Sequence, residues 1–356
     1  MVHLSVAAWF FWACIAGPAA GADDIDHHPL DAHLSDAYTE DLPGLLKRKY
    51  IRVLTTMNRT NFFLAGGKPH GFEYELLKEY EKFLNKPIKR RELQVTLEFI
   101  PVPRDRLLAG LLEGAGDIAA AGLTITDERR RLVDFTRPYL TGVEELLVTH
   151  KGVSAPESLR GLSGKRVFVR KSSSYYESLQ LLNRRLKNAK LRPVKIVEAD
   201  ENLETEDILE LVNTGAIERT VADSHIARIW AEVLHDIRIH EKVVLRRNGQ
   251  IAWAVRKDSP KLGESLNRFL KSHRKGTLLG NIFFTRYYEE SQWVSNPLKG
   301  DAGKKIDEYR PIFKKYAERY GFDWRLLLAM AYQESGLNPR KKSHRGAVGL
   351  MQIRPS

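Results

Sequence analysis

Residues 116–140 read GDIAAAGLTITDERRRLVDFTRPYL. The preceding RDRLLAGLLE (104–113) has the apolar spacing of a helix, and GAG (114–116) reads as a turn. The small residues that follow, up to Thr126, then form a buried strand. Upstream, residues 50–56 are a β-branched run after a basic cluster, and residues 95–102 are a second strand. Between them, residues 71–85 place Phe72, Leu76, Leu77, Tyr80, Phe83 and Leu84 on one helical stripe. Downstream, residues 165–169 and 194–199 repeat the strand pattern. Strands alternating with helices argue for parallel sheets in two α/β lobes, and ligands of such lobes sit at the carboxyl ends of strands.

The chain has 356 residues, which favours two or three domains. Its hydrophobic fraction of 43% excludes a mostly disordered or collagen-like chain. One cysteine, Cys14, excludes a disulfide framework and a cysteine zinc site, and no residue pattern calls for a metal or organic cofactor. The net charge of +12 is spread along the chain. It reads as a solvated basic surface or as attraction to an anionic partner. Nucleic acid would rest on charge alone, because no helix-turn-helix or RNA-binding motif is present.

The N-terminus has the form of an export signal. Val6–Ile15 is an apolar run too short to span a bilayer, and Ala20-Gly21-Ala22 gives an A-x-A cleavage pattern. The first five residues lack Lys and Arg. Lipidation at Cys14 is the alternative, although Phe11 stands where a lipoprotein signal usually has Leu. Residues 1–22 are read as signal peptide and residues 23–42 as a mobile acidic leader, with seven acids and no Lys or Arg from Asp23 to Asp41. The paired His27 and His28 in that leader are read as solvated.

Taken together, GDIAAAGLTITDERRRLVDFTRPYL, KPHGFEYEL (68–76), GKRVFVRKSSSY (164–175), ERTVADS (218–224) and AWAVRKDSPKLGESLNRFL (252–270) resemble the periplasmic amino-acid-binding proteins, solute-binding family 3. The resemblance implies two α/β lobes over residues 43–290, joined by two crossover strands, with a ligand between them and the last of these segments returning to the first lobe. It implies that Thr124 and Arg129 hold a ligand carboxylate and that Asp223 pairs with its ammonium. It also implies that Ser172 to Ser174, bulkier than the glycine common there, offer backbone N–H groups. An arginine fork suits a carboxylate. Read alone, Arg129 is a surface residue in an arginine-rich helix start, and Asp223 is a helix N-cap.

Residues 291–304 read as a Pro/Gly/polar linker, and a second module occupies residues 305–356. Ile306, Tyr309, Ile312, Phe313, Tyr316 and Tyr320 form a helical stripe, which Gly321 ends. WRLLLAMAYQES (324–335) follows Asp323 as a helix apolar nearly all round, hence buried. Glu334 lies in its last turn. Burial and the helix dipole would both raise a carboxyl pKa there, as a general acid requires. Read alone, Glu334 is a solvated residue at a helix end.

AYQESGLNP with SHRGAVGLMQIRP resembles the soluble lytic transglycosylase domain, a lysozyme-like all-α fold. The resemblance implies cleavage of the MurNAc–GlcNAc β-1,4 bond of peptidoglycan with formation of 1,6-anhydroMurNAc. Glu334 would be the single acid/base, and Ser335, Gly349, Met351 and Gln352 would contact substrate. Glu334 is the only acid after Asp323, which fits a mechanism needing one carboxylate. The chain stops at Ser356 without the family's Ala-Tyr-Asn motif, so an incomplete catalytic domain and a partly uncovered helix 324–335 are expected.

The order of modules resembles the membrane-bound lytic murein transglycosylase F family. This implies a periplasmic enzyme peripheral at the outer membrane, with peptidoglycan as substrate and an amino acid or muropeptide as ligand of the first module. The alternative is a periplasmic amino-acid-binding protein carrying an inactive transglycosylase remnant.

Overall fold

The computed structural model describes residues 36–65, 67–154, 156–290 and 301–354. The expected signal segment, most of the expected acidic leader and the first part of the expected linker lie outside the described residues.

The first lobe is built on a five-stranded sheet of order β4-β1-β5-β12-β6. Strand β1 (Tyr50–Thr55) runs parallel to β4 (Thr96–Pro101), from Tyr50 opposite Thr96 to Thr55 opposite Pro101, and parallel to β5 (Ile118–Ala119). Residues 51–55 of β1 are all buried, as expected of a central parallel strand covered on both faces. Helix α1 (Leu42–Arg48), α2 (Phe72–Asn85) and α3 (Arg106–Leu112) pack on this sheet. The apolar stripe anticipated on α2 is its buried face: Phe72, Leu76, Leu77 and Tyr80 are all inaccessible. A short hairpin of β2 (Phe63–Ala65) and β3 (Lys68–His70) precedes α2. Helix α4 (Asp127–Leu132) and β6 (Asp134–Phe135) complete the quoted stretch.

The chain then enters the second lobe. Its sheet has the order β11-β7-β10-β8-β9. Strand β8 (Arg166–Arg170) runs parallel to β9 (Lys195–Ala199) and to β10 (Arg219–Asp223). Strand β7 (Leu140–His150) lies antiparallel between β10 and the long, bulged β11 (Ile237–Ile251). Helices α5 (Ser174–Asn188), α6 (Thr205–Asn213) and α7 (Ser224–Ala231) complete the lobe. Its core is formed by Leu147, Val167, Val169, Leu179, Leu186 and Val221.

Strand β12 (Ala254–Val255) returns to the first sheet, pairing antiparallel with β5 and β6. Helices α8 (Pro260–His273) and α9 (Leu278–Tyr288) follow. The chain therefore crosses between lobes twice, at residues 136–139 and 252–253, as the family resemblance implied. Glu73, in the first turn of α2, ties both crossings to the cleft. Its carboxylate accepts from Tyr139 Oη (2.8 Å), Trp253 Nε1 (3.1 Å) and the Gly122 backbone N–H (2.8 Å). Burial pushes its pKa up to about 7, against the pull of those donors.

The end of the leader is docked rather than mobile. Arg48 and Arg52 both stack on Tyr38. The Asp41 carboxylate accepts from Leu42 N at the start of α1 (2.7 Å) and from Lys261 N and Leu262 N at the start of α8 (2.9 Å each). One carboxylate thus caps two helices, whose N-terminal N–H groups have no partner within the helix.

In the second module the helical structure begins inside the expected linker. Helix α10 (Asp301–Tyr320) carries Pro311 within it, and Gly321 follows at φ 73°. Helix α11 (Trp324–Ser335) packs on α10 through Phe313, Leu328 and Ala331, joined by Leu337. The expected burial of α11 holds for one side only: Leu328 is 7% exposed, while Leu326 is 58% and Met330 46% exposed. Ile312, Tyr316 and Phe322 are also exposed, so the module carries the bare apolar face expected from the sequence.

Candidate functional site

The carboxyl ends of the parallel strands in both lobes meet at one cleft. Thr124 and Arg129 from the first lobe, and Ser173, Ser174 and Asp223 from the second, line a common space of about 40 Å³. Three local features set this geometry. Thr126 N-caps α4, its hydroxyl accepting from Arg129 N at 3.2 Å. Ser173 N-caps α5, whose N-terminal end therefore points into the cleft. Asp223 ends β10, and its side chain makes no cap to α7. Asp223 therefore holds the N-cap position expected of it without the capping hydrogen bond.

Arg129 is not a surface residue: it is 8% exposed. Its guanidinium donates to the Thr124 carbonyl and, across the cleft, to the Ser172 carbonyl, both at 2.8 Å. Desolvation pushes its pKa down, with the Glu177 carboxylate opposing. Asp223 is buried, with no partner for Oδ1 among the described residues. Burial, and then the neighbouring Glu145, push its pKa up to about 8. Asp223 sits opposite Glu145 in the register of β10 and β7. A buried carboxylate with one oxygen unmatched, lining the same cavity as a buried guanidinium, is suited to a zwitterion: one end of the ligand supplies a negative group and the other a positive one.

Ser172 departs from the reading of the sequence. Its N–H donates to Glu201 Oε1 at 3.0 Å and its carbonyl receives Arg129, so it faces an outer groove rather than the cleft. The other two residues of the expected loop, Ser173 and Ser174, do line the cleft.

The sequence reading missed the groups that close the cleft. Arg104, just past β4, donates through Nη2 to Glu204 Oε2 of the second lobe at 2.6 Å and through Nη1 to the Ala121 carbonyl at 2.8 Å. Thr60 Oγ1 donates to Glu206 Oε1 at 2.5 Å. Burial, reinforced by Glu204, pushes the Glu206 pKa up to about 7. Arg104 was findable, because it follows the carboxyl end of a strand. Glu204 and Glu206 lie in an acid-rich run, ENLETED, that gives no hint of burial.

The second site surrounds Glu334. The residue is exposed at the end of α11, so the burial expected to tune it is not supplied by the described residues. It opens onto a groove of about 600 Å³ shared with Lys341, Ser343, Arg345, Gln352 and Arg354. Ser335 is turned inward: its Oγ donates to the Ala331 carbonyl at 2.9 Å and accepts from Asn338 N at 3.2 Å. Met351 packs on the α10–α11 core with Leu350. Both help to hold the loop that borders the groove. Gln352 reaches the groove, but its Nε2 also donates to the Lys341 and Gly349 carbonyls at 3.0 and 2.9 Å. Gly349 adopts φ 79°, a conformation suited to glycine.

Comparison with known proteins agrees with both halves. The family model of bacterial extracellular solute-binding proteins, family 3, matches residues 51–284, and that of the transglycosylase SLT domain matches residues 311–356. A curated relative from Desulfosudis oleivorans, named membrane-bound lytic murein transglycosylase F, is 33% identical over 85% of this chain and 63% of its own length. One of the same name from Pseudomonas putida is 31% identical over 85% of this chain and 60% of its own. The chain thus spans about three-fifths of the length of these relatives. Among solved structures, an ancestral arginine-binding protein bound to arginine superposes with a TM-score of 0.55 at 26% identity, over 68% of this chain and 99% of that one. The chain belongs to family 3 of the bacterial extracellular solute-binding proteins, with a transglycosylase SLT segment after the two lobes and homology to membrane-bound lytic murein transglycosylase F over 85% of its length.

Proposed function

We propose that the protein is a peptidoglycan lytic transglycosylase whose two-lobed module binds an amino acid or stem peptide and regulates cleavage. Glu334 gives its proton to the glycosidic oxygen as the bond from C1 of MurNAc breaks. The resulting carboxylate then takes the proton of the sugar's own 6-hydroxyl, whose oxygen bonds to C1. No water is consumed, and a second carboxylate is not required. The observation that carries this reading is the exposed Glu334 at a helix end, opening on a groove within a segment that matches the transglycosylase domain.

In the first module, Arg129 and Thr124 receive the ligand carboxylate and Asp223 its ammonium. Regulation requires the ligand to favour one cleft geometry over another. The bonds that cross the cleft, Arg104–Glu204 and Arg129–Ser172, are the elements it would act on. The relatives are named membrane-bound, and among the described residues no helix is long and apolar enough to cross a membrane. The name of those relatives supports placing the protein in the periplasm, peripheral at the outer membrane.

The test is digestion of purified peptidoglycan with mass analysis of the products. Fragments ending in anhydroMurNAc, lighter by one water than hydrolytic products and lost with Glu334→Gln, support the proposal. Their absence favours the second reading, a periplasmic amino-acid-binding protein. That reading draws support from the cleft, whose two sides are both present while Glu334 stands exposed.

A further inference from the structure

Residues 336–354 carry Arg340, Lys341, Lys342, Arg345 and Arg354 and no Asp or Glu. Some exposed arginines elsewhere have acidic partners, as Arg228 with Glu241, Arg247 with Glu144, and Arg286 with Glu75, and others, as Arg130 and Arg184, have none among the described residues; what sets this loop apart is its position. In this loop no cation forms an ion pair with a described residue. The loop is nevertheless folded. Gly349 N donates to the Lys341 carbonyl (3.0 Å), Val348 N to the Ile353 carbonyl (3.0 Å), and Ser343 N to the Ala347 carbonyl (2.8 Å). Gly346, at φ 83°, closes the turn that presents Arg345. Lys341 is committed elsewhere: its Nζ donates to the Glu334 carbonyl at 2.8 Å, capping the negative end of α11. Arg345 and Arg354 remain, both exposed and both lining the groove onto which Glu334 opens.

Building on the glycan-cleaving reading of Glu334, we propose that Arg345 and Arg354 recognise carboxylates borne by the glycan strand, so that carboxylate-bearing strands are the preferred substrate. A guanidinium offers a planar pair of donors that a carboxylate oxygen pair matches, and its charge persists at any working pH. Two guanidiniums that line the groove of the cleaving carboxylate, neither ion-paired with a described residue, favour an anionic group on the strand held there. A neutral polysaccharide of the same backbone offers them nothing.

The test uses the whole chain carrying Glu334→Gln, so that substrate is bound and not consumed. Its co-sedimentation is measured with insoluble peptidoglycan and with the same material whose carboxylates have been converted to amides by carbodiimide and ammonia. The expected result is binding weakened about tenfold by amidation. Arg345→Glu with Arg354→Glu should bind untreated strands as weakly as the parent binds amidated ones. Thermal unfolding checks that this variant folds, and Lys187→Glu with Lys190→Glu, in the first module, controls for net charge. The proposal is overturned if amidation or the groove reversal changes binding by less than about twofold, or if the control reversal weakens it equally. If the parent sediments with neither material, the glycan reading itself has failed.

Discussion

Arg104 and Glu204 meet across the cleft at 2.6 Å, one from each lobe, with side chains 12% and 7% exposed. Removing one partner leaves the other charge buried and unmatched. Arg104→Ala should destabilise the first module by about 3 kcal/mol. The double variant with Glu204→Ala should lose less than the sum of the single losses, with a coupling of about 1–3 kcal/mol. Urea unfolding of the four proteins measures this; additive losses would show that the pair does not hold the lobes together.

The contribution of three buried carboxyls to the stability of the first module should fall as pH rises from about 4, where the unfolded groups release their protons, to about 8, where the folded ones have done so. Glu73, Glu206 and Asp223 have pKa values raised to about 7, 7 and 8 in the fold. The native state therefore holds protons that the unfolded chain has already released, and raising pH favours unfolding. His225 acts in the other direction. Burial lowers its pKa to about 3, so stability is lost as pH falls below about 6.5. Between about pH 4.5 and 6.5 the three carboxyls outweigh the one histidine, so from these groups stability declines with rising pH through that range and on to about pH 8. Urea midpoints across this range check it, and Glu73→Gln should make the decline shallower.

Ligand affinity should show its own pH dependence. Pairing with an ammonium requires Asp223 to be ionised, while burial holds its pKa near 8. Binding of a free amino acid such as L-arginine should release a proton below about pH 8 and tighten as pH rises toward that value. Asp223→Asn should abolish this dependence and weaken binding by about 30-fold or more. Calorimetry in buffers of different ionisation enthalpy reads both effects.

In the second module Glu334 and its neighbour Ser335 should separate cleanly. Ser335 is buried and satisfies Asn338 N–H, so Ser335→Ala should cost about 1–2 kcal/mol in thermal unfolding. Glu334 is exposed, so Glu334→Gln should leave stability within about 0.5 kcal/mol while removing lytic activity.

Much of the fold was legible because it rests on local patterns. The stripe on α2, the β-branched β1 and the glycine turn before β5 each announce their element within a dozen residues. The cleft residues Thr124, Arg129 and Asp223 came from a family pattern; nothing in their own spacing would have gathered them, since the lobes meet through contacts 50 to 150 residues apart, such as Thr126–Glu177 and Thr60–Glu206. Arg104 and Glu204 escaped for that reason: each looks like a surface charge until its partner arrives. Ser172 was misplaced because a motif gives a position and not the direction of a side chain. The ordered end of the leader was missed because composition says nothing of the two helix ends that Asp41 caps.

The central claim is that cleavage at Glu334 proceeds without water. Digestion of peptidoglycan in water enriched in heavy oxygen tests it most directly, through the isotope content of the newly formed MurNAc termini. The account predicts anhydro termini free of the label. Labelled, reducing MurNAc termini would contradict it and make the enzyme a hydrolase.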